Sequence, residues 1–304
     1  MKSFTVEFWG VRGSIPTPGQ STLRYGGNTA CVEINFSNGQ HFIMDAGTGI
    51  RELGKKLLKT GKPVESHIFI SHFHWDHIQG LPFFRPAFRA GNKFTILGSD
   101  DAQMNLDQLI SFQMDPTYFP VAIEDMQANI QFQSIKEGTL QINEVEVDCI
   151  YLNHPGYALG FRINYQGHSL VYISDNEPFF YHRPGHIQTR RNNSPNLEEL
   201  FDNFVENRDE YLIRFCKGSD LLIHDTQFFP DEYHNKVTWG HSPFSYTVDL
   251  AIRSQVKQLA LFHHDPDHDD EVIDQMEQLS CELIEERGAT IQCVAAREGM
   301  ILEI

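Results

Sequence analysis

The chain has 304 residues, with 24 Lys and Arg against 41 Asp and Glu and a formal net charge of −17, which disfavours the extended basic face that nucleic-acid backbones require. Hydrophobic content of 40% with 12% aromatic residues excludes a disordered chain, and no window reaches the apolar length of a membrane span. Five scattered cysteines (Cys31, Cys149, Cys216, Cys281, Cys293) form no Cys-x-x-Cys pair and read as free thiols in a reducing compartment, so a cytoplasmic protein is expected.

In chain order, Phe4–Phe8 alternates as a strand and lacks the apolar run of a signal peptide. Gly10–Gly19 and Tyr25–Thr29 are glycine-rich loops, in which Arg12 is either a phosphate contact or part of a tight, proline-stiffened turn. Ala30–Phe36 and Gln40–Met44 read as strands around the Ser37-Asn38-Gly39 turn. Asp45-Ala46-Gly47-Thr48-Gly49 turns into an amphipathic helix over Ile50–Thr60, stopped by Gly61 and Pro63. Ile68–Ser71 and Lys93–Leu97 read as inner strands, and Asp100–Phe112 as a helix. Thr139–Leu152 divides into two strands at Asn143, and Ser169–Ser174 is an apolar strand. Leu197–Cys216, Ser245–Ser254 and Asp270–Gly288 have helical spacing. Leu221–His224 and Gln258–Phe262 are strands, and Ile291–Cys293 is expected to pair with Met300–Ile304. The acidic Asp265–Asp270 run reads as a solvated helix start rather than a metal cluster.

The chemistry concentrates in His72-Phe73-His74-Trp75-Asp76-His77, directly after Ile68–Ile70. Residues at i and i+2 point the same way in extended backbone, so His72 and His74 can hold one metal together. Asp76 and His77 fall where the chain turns and can aim at a second. His154, Asp175 and His263 each follow an apolar strand, which suits ligands because rigid elements hold geometry without costly ordering. His264 competes with His263 for that last role.

The His-x-His-x-Asp-His run, followed in order by His154, Asp175 and His263, resembles the metal-binding pattern of the metallo-β-lactamase superfamily. The resemblance implies an αβ/βα sandwich, four layers made of two mixed β-sheets flanked by helices. It would form one domain over residues 1–304, with insertions expected near 100–135 and 178–217. It further implies two divalent metal ions, zinc first and Mn or Fe as alternatives. His72, His74 and His154 would hold one ion, Asp76, His77 and His263 the other, and Asp175 would bridge them. Asp45 resembles the superfamily's strand-end aspartate and is expected to support the ligands rather than join them.

Leu221–Thr226 with Asp225, Gly240-His241-Ser242, and the His154–Arg162 segment look like the ribonuclease Z and cyclic-phosphodiesterase branch. That branch implies a phosphodiesterase using a metal-bridging hydroxide, with Asp76, Asp225 and His241 as catalytic residues and His241 protonating the leaving group. A small, nucleotide-like phosphodiester, cyclic ones included, is the expected partner, with a homodimer compatible and no membrane association. Alternatives are a ribonuclease Z-like endonuclease, a lactone or thioester hydrolase, and a non-catalytic metal-binding protein. Phe179–Pro184 through Arg190-Arg191 suggests a local lid with base-stacking aromatics, a surface insertion or dimer contact being equally open.

Overall fold

Alternation of apolar and polar residues builds the first sheet. β1 (Phe4–Gly10) buries Phe4, Val6 and Phe8 on one face and half-buries Thr5, Glu7 and Trp9 on the other. It runs antiparallel to β2 (Cys31–Phe36), which turns at Gly39 (φ 86°) into antiparallel β3 (His41–Met44). Beyond β3 the sheet becomes parallel, adding β4 (Glu65–Phe69), β5 (Lys93–Gly98) and β6 (Asn129–Ser134). Helices α1 (Gly49–Lys59), α2 (Trp75–Ile78) and α3 (Leu106–Phe112) occupy the crossovers. These coordinates are a computed structural model that describes residues 3–179 and 208–304.

The second sheet starts as an antiparallel meander of β7 (Gly138–Ile142), β8 (Val145–Tyr151), β9 (Leu159–Tyr165) and β10 (His168–Ile173). It continues in parallel through β11 (Leu221–Asp225), β12 (Gln258–Phe262) and β13 (Gln292–Ala295). Around it lie helical residues 208–216 (α4), α5 (Pro230–Tyr233), α6 (Phe244–Arg253) and α7 (Asp270–Glu286).

Strand parity decides the layers. Phe42 and Phe69 face the second sheet, where Phe69 meets Phe161 at 5.3 Å between ring centroids. Their neighbours Ile43 and Ile68 face outward onto Ile50 and Leu53 of α1. In the second sheet Tyr172 and Ile223 point inward, while Val171 and Leu222 pack with Val248 of α6 and Met276 of α7. Strands covered on both faces must be apolar at consecutive positions, which explains runs such as Leu221–Ile223. The result is the expected four-layer sandwich of two mixed sheets with helices outside.

Four sequence expectations change. Ile291–Cys293 and Met300–Ile304 do not pair: β13 joins β12, while β14 (Ile301–Glu303) crosses to the first sheet and pairs with β1. Neighbouring strands pair only where the connection lets them, and here the chain crosses the sandwich with Glu298 tied to Asn28, whose backbone N–H donates at 2.7 Å. Asn129–Ser134 and Leu159–Tyr165 are strands that the pattern left unread, the first because an edge position tolerates its polar residues. Asp100–Phe112 is helical only from Leu106, because the Asp100 and Asp101 side chains accept the N–H groups of Leu106, Gln103 and Met104 and offer the backbone an alternative to helix. The Asp265–Asp270 run does start a helix, capped by Asp269, but it is solvated only in part: Asp267 is exposed, whereas Asp265, His268 and Asp270 are buried. Asp270 receives the N–H groups of Arg24 and Tyr25, and Lys236 reaches Asp265 at 3.0 Å. Among the described residues no helix is long and apolar enough to cross a membrane.

Candidate metal centre

The site forms where strands of both sheets end, the crevice that open α/β sheets leave for ligands. After β4 the chain brings in His72 and then His74, whose extended backbone (ψ 148°) caps α2, with Asp76 and His77 in the helix. β8 delivers His154, β10 delivers Asp175, and Asp225 is the last residue of β11. His263 follows β12 directly in a left-handed conformation (φ 60°), uncommon for a non-glycine residue.

Ring nitrogens and carboxylates converge in two groups, His72, His74, His154, Asp175 and Asp76, His77, Asp175, His263, whose donor atoms lie within 4.8 Å of one another in each. His74 Nδ1 sits 2.9 Å from His72 Nε2 and 3.0 Å from His154 Nε2. In the second group His77 Nε2 is 3.1 Å from Asp175 Oδ1, and His263 Nε2 is 3.1 Å from Asp76 Oδ2. Ligands about 2 Å from one tetrahedral ion stand roughly 3.3 Å apart, so these spacings suit metal donors.

Outer contacts set which nitrogen of each ring is free. His77 Nδ1 donates to Asp45 Oδ2 at 2.8 Å, and His154 Nδ1 donates to the Gly240 carbonyl at 2.8 Å. His72 Nδ1 donates to Ser71 Oγ at 3.0 Å, and Ser71 Oγ in turn donates to Asp45 Oδ2 at 2.9 Å. Each arrangement places the Nδ1 proton outward and turns an Nε2 lone pair into the centre. Gly240 must be glycine for this: φ is 90°, and a Cβ would lie 2.3 Å from His154 Nδ1. Gly13 likewise leaves room for the His263 ring, and the Ser14 N–H donates to Asp76 Oδ2 at 2.7 Å.

The electrostatics also call for cations. Asp45, Asp76, Asp175 and Asp225 are all buried, and no Lys or Arg among the described residues forms an ion pair with any of them. Burial alone would raise the Asp175 carboxyl, yet His263, His77 and His72 outweigh it and hold it well below the usual carboxylate range. Burial pushes the His72 and His74 rings down, and His154 down to about 4, so these imidazoles are neutral and ready to bind a metal at neutral pH. His77 runs the other way: despite burial, Asp175, Asp76 and Asp45 raise it well above the ordinary value. Buried carboxylates in such excess are costly unless a cation joins them, and Asp175 Oδ1 has no hydrogen bond of good geometry. The donor set therefore fits divalent metal ions.

His241 borders the second group. Its Nδ1 donates to Asp225 Oδ2 at 3.1 Å, and its ring stacks on His263 at 5.0 Å. Burial disfavours its cation, but Asp225 above all, with Asp175 and Asp76, outweighs this and raises it to about 9. Burial also pushes the Asp225 carboxyl up, so the pair keeps a proton, carried by the imidazole. Asp225, His241 and His263 themselves form a third convergent group.

The structure thus brings together all nine residues singled out from the sequence: His72, His74, Asp76, His77, His154, Asp175, Asp225, His241 and His263. His264 drops out, because its Nε2 donates to the Ala296 carbonyl at 2.9 Å, away from the centre. Arg12 is no phosphate contact: it is fully buried and donates to the carbonyls of Gly26, Asp265 and His268. Most of the proposed lid, 180–191, lies outside the described residues. Sequence reasoning missed Ser14 and Glu177. Glu177 is buried and accepts from the Tyr233 hydroxyl at 2.6 Å and from the N–H groups of Thr238 and Gly240 at 2.7 and 3.1 Å, clamping the loop that carries His241. Neither has a spacing signal, since each acts through backbone groups distant in sequence.

A family model described as "Beta-lactamase superfamily domain" matches residues 40–191, half of the chain. The ribonuclease Z of Picrophilus torridus is 23% identical over 296 residues, covering 88% of this chain and 88% of the relative. Among solved structures, the metallo-beta-lactamase fold protein YhfI from Bacillus subtilis superposes with a TM-score of 0.66 at 16% identity, covering 100% of both chains. A diphosphatase from the PhnP family superposes with a TM-score of 0.62 at 16% identity, covering 99% of this chain and 98% of its own.

Proposed function

The chain belongs to the beta-lactamase superfamily, and from that premise we propose that it is a metal-dependent hydrolase of small, nucleotide-like phosphodiesters, cyclic ones included. His72, His74 and His154 would hold one divalent ion and Asp76, His77 and His263 a second, with Asp175 reaching both; zinc suits the imidazole-rich set, and Mn or Fe are alternatives. When bound, the ions would supply Lewis acidity toward the phosphoryl oxygens and acidify a water.

The observation that carries the reading is the Asp225–His241 pair at the wall of the cleft. With Nδ1–H engaged by Asp225, His241 has Nε2–H to give to the departing alkoxide oxygen, a poor leaving group without a proton. Asp225 fixes the ring's direction, and Glu177 holds the backbone on which the ring is mounted. A non-catalytic metal-binding protein would need no such donor.

Small substrates are favoured over structured RNA. The open cleft is about 400 Å3 and is lined by Ser14, Phe73, His74, Trp75, Asp76, Asp175 and His241, without a Lys or Arg among them. A net charge of −17 adds repulsion toward long polyanions. The ribonuclease Z relative keeps the endonuclease reading as the alternative. The test compares kcat/KM of metal-loaded protein for 2′,3′- and 3′,5′-cyclic nucleotides, bis-p-nitrophenyl phosphate, a lactone and a precursor transfer RNA. Small diesters should lead; a kcat/KM for the transfer RNA well above every small diester transfers the assignment to the endonuclease.

A further inference from the structure

A large apolar side chain in water on the wall of a polar cleft calls for a reason. Nine large apolar side chains are exposed among the described residues, and three of them, Trp75, Tyr157 and Trp239, lie within three residues in sequence of a side chain at the centre. Trp75, between His74 and Asp76, is 80% exposed and forms part of the cleft wall. Trp239 is 59% exposed and sits beside Gly240 on the loop that Glu177 clamps at Thr238 and Gly240. Tyr157, 51% exposed, follows His154 by three residues. Folding does not explain Trp75: α2 is four residues long, and the indole joins no core cluster. Trp9, the third tryptophan, shows the contrast, with its Nε1–H donated to Glu33 and its ring beneath Lys56.

We propose that Trp75, exposed on the cleft wall, is a stacking surface that selects phosphodiesters bearing a single nucleobase. This rests on the phosphodiesterase reading and names what lies beyond the phosphate. Flat, solvent-facing rings suit a π-face, whereas an alkyl or acyl chain is held by an enclosed aliphatic pocket, which this cleft does not line. A longer strand would require cationic side chains along its backbone, and the cleft wall has none. Stacking is tolerant of base identity, so the surface selects for a base without choosing among bases.

The experiment measures binding rather than turnover, on the full metal-loaded chain. Calorimetry compares adenosine 5′-monophosphate with ribose 5-phosphate, in which an anomeric hydroxyl replaces the base. In the wild type the base should tighten binding roughly 5- to 100-fold, the range that base–aromatic stacking yields. Trp75→Ala should remove most of that ratio, Trp75→Phe should restore it, and Trp75→Leu, which is apolar but cannot stack, should not. Elemental analysis of each variant keeps metal loss separate. Equal affinity for the two ligands in the wild type, or a ratio unchanged in Trp75→Ala, overturns the proposal. Its failure is separable from that of the phosphodiesterase reading, which falls if the wild type cleaves no diester whatever its affinity for the base.

Discussion

Replacing Asp45 by Asn tests whether the outer contacts set metal affinity. The backbone there is left-handed (φ 59°), a conformation Asn tolerates, so the substitution is close to isosteric. Asp45 accepts four hydrogen bonds: Ser71 N–H at 2.7 Å on Oδ1, and Ser71 Oγ at 2.9 Å, Tyr172 OH at 2.7 Å and His77 Nδ1 at 2.8 Å on Oδ2. If Asn keeps its oxygen toward the Ser71 N–H, its NH2 faces the other three donors. The two hydroxyls can rotate and accept. His77 can answer only by moving its proton to Nε2, the atom that faces Asp175 and Asp76. That tautomer has no lone pair for a metal, so binding must displace it. Loss of such a supporting contact typically costs 10- to 100-fold in metal affinity, which is about 1.4–2.7 kcal/mol. Competition titration against a chelating indicator should show one ion weakened by that factor while the His72–His74–His154 group keeps its own. Wild-type affinity at both sites in a folded Asp45→Asn protein would refute the tautomer argument.

Protein expressed in a cytosol should contain close to two transition-metal ions per chain by elemental analysis, and chelation should abolish hydrolysis; undiminished diesterase activity in clean apo protein removes the two-metal reading. His263→Ala should lower metal content together with rate, whereas His241→Ala should keep both ions and lose roughly 10²–10⁴-fold in kcat, with less loss for a p-nitrophenolate leaving group. Metal depletion in His241→Ala would instead make that histidine a ligand, as its grouping with Asp225 and His263 allows. Away from the centre, burial would raise the Glu33 carboxyl, but its hydrogen bond with His41 and the nearby Lys56 outweigh this and lower it to about 2. A depressed carboxylate stabilises the fold above its unfolded value of 4.5 and ceases to as pH falls through about 2, so the stability gap between wild type and Glu33→Gln, read by urea unfolding, should close over that interval. A gap as wide at pH 2.5 as at pH 7 contradicts it.

What the sequence determined by itself was local: strand and helix spans set by apolar periodicity, and ligand types set by a six-residue run. His72, His74, Asp76 and His77 were legible because they are adjacent in sequence, and His154, Asp175 and His263 because each follows an apolar strand in the order of a known pattern. The resemblance already preferred His263 to His264, but the physical reason lies in the tertiary structure, since consecutive residues leave a strand on opposite sides and only the packing shows which side holds the centre. The same holds for Arg12, whose charge suggested phosphate until Gly26, Asp265 and His268 surrounded it with carbonyls. Strand partnership escaped the pattern too, because β13 and β14 look like a local pair yet lie in different sheets. Ser14 and Glu177 left no trace in the sequence, because Ser14 acts through its own backbone N–H and the Glu177 carboxylate grips the backbone N–H groups of a distant loop, groups that every residue possesses. A side chain declares its chemistry in the sequence, but the partner that fixes its proton and its direction is decided only when distant segments meet.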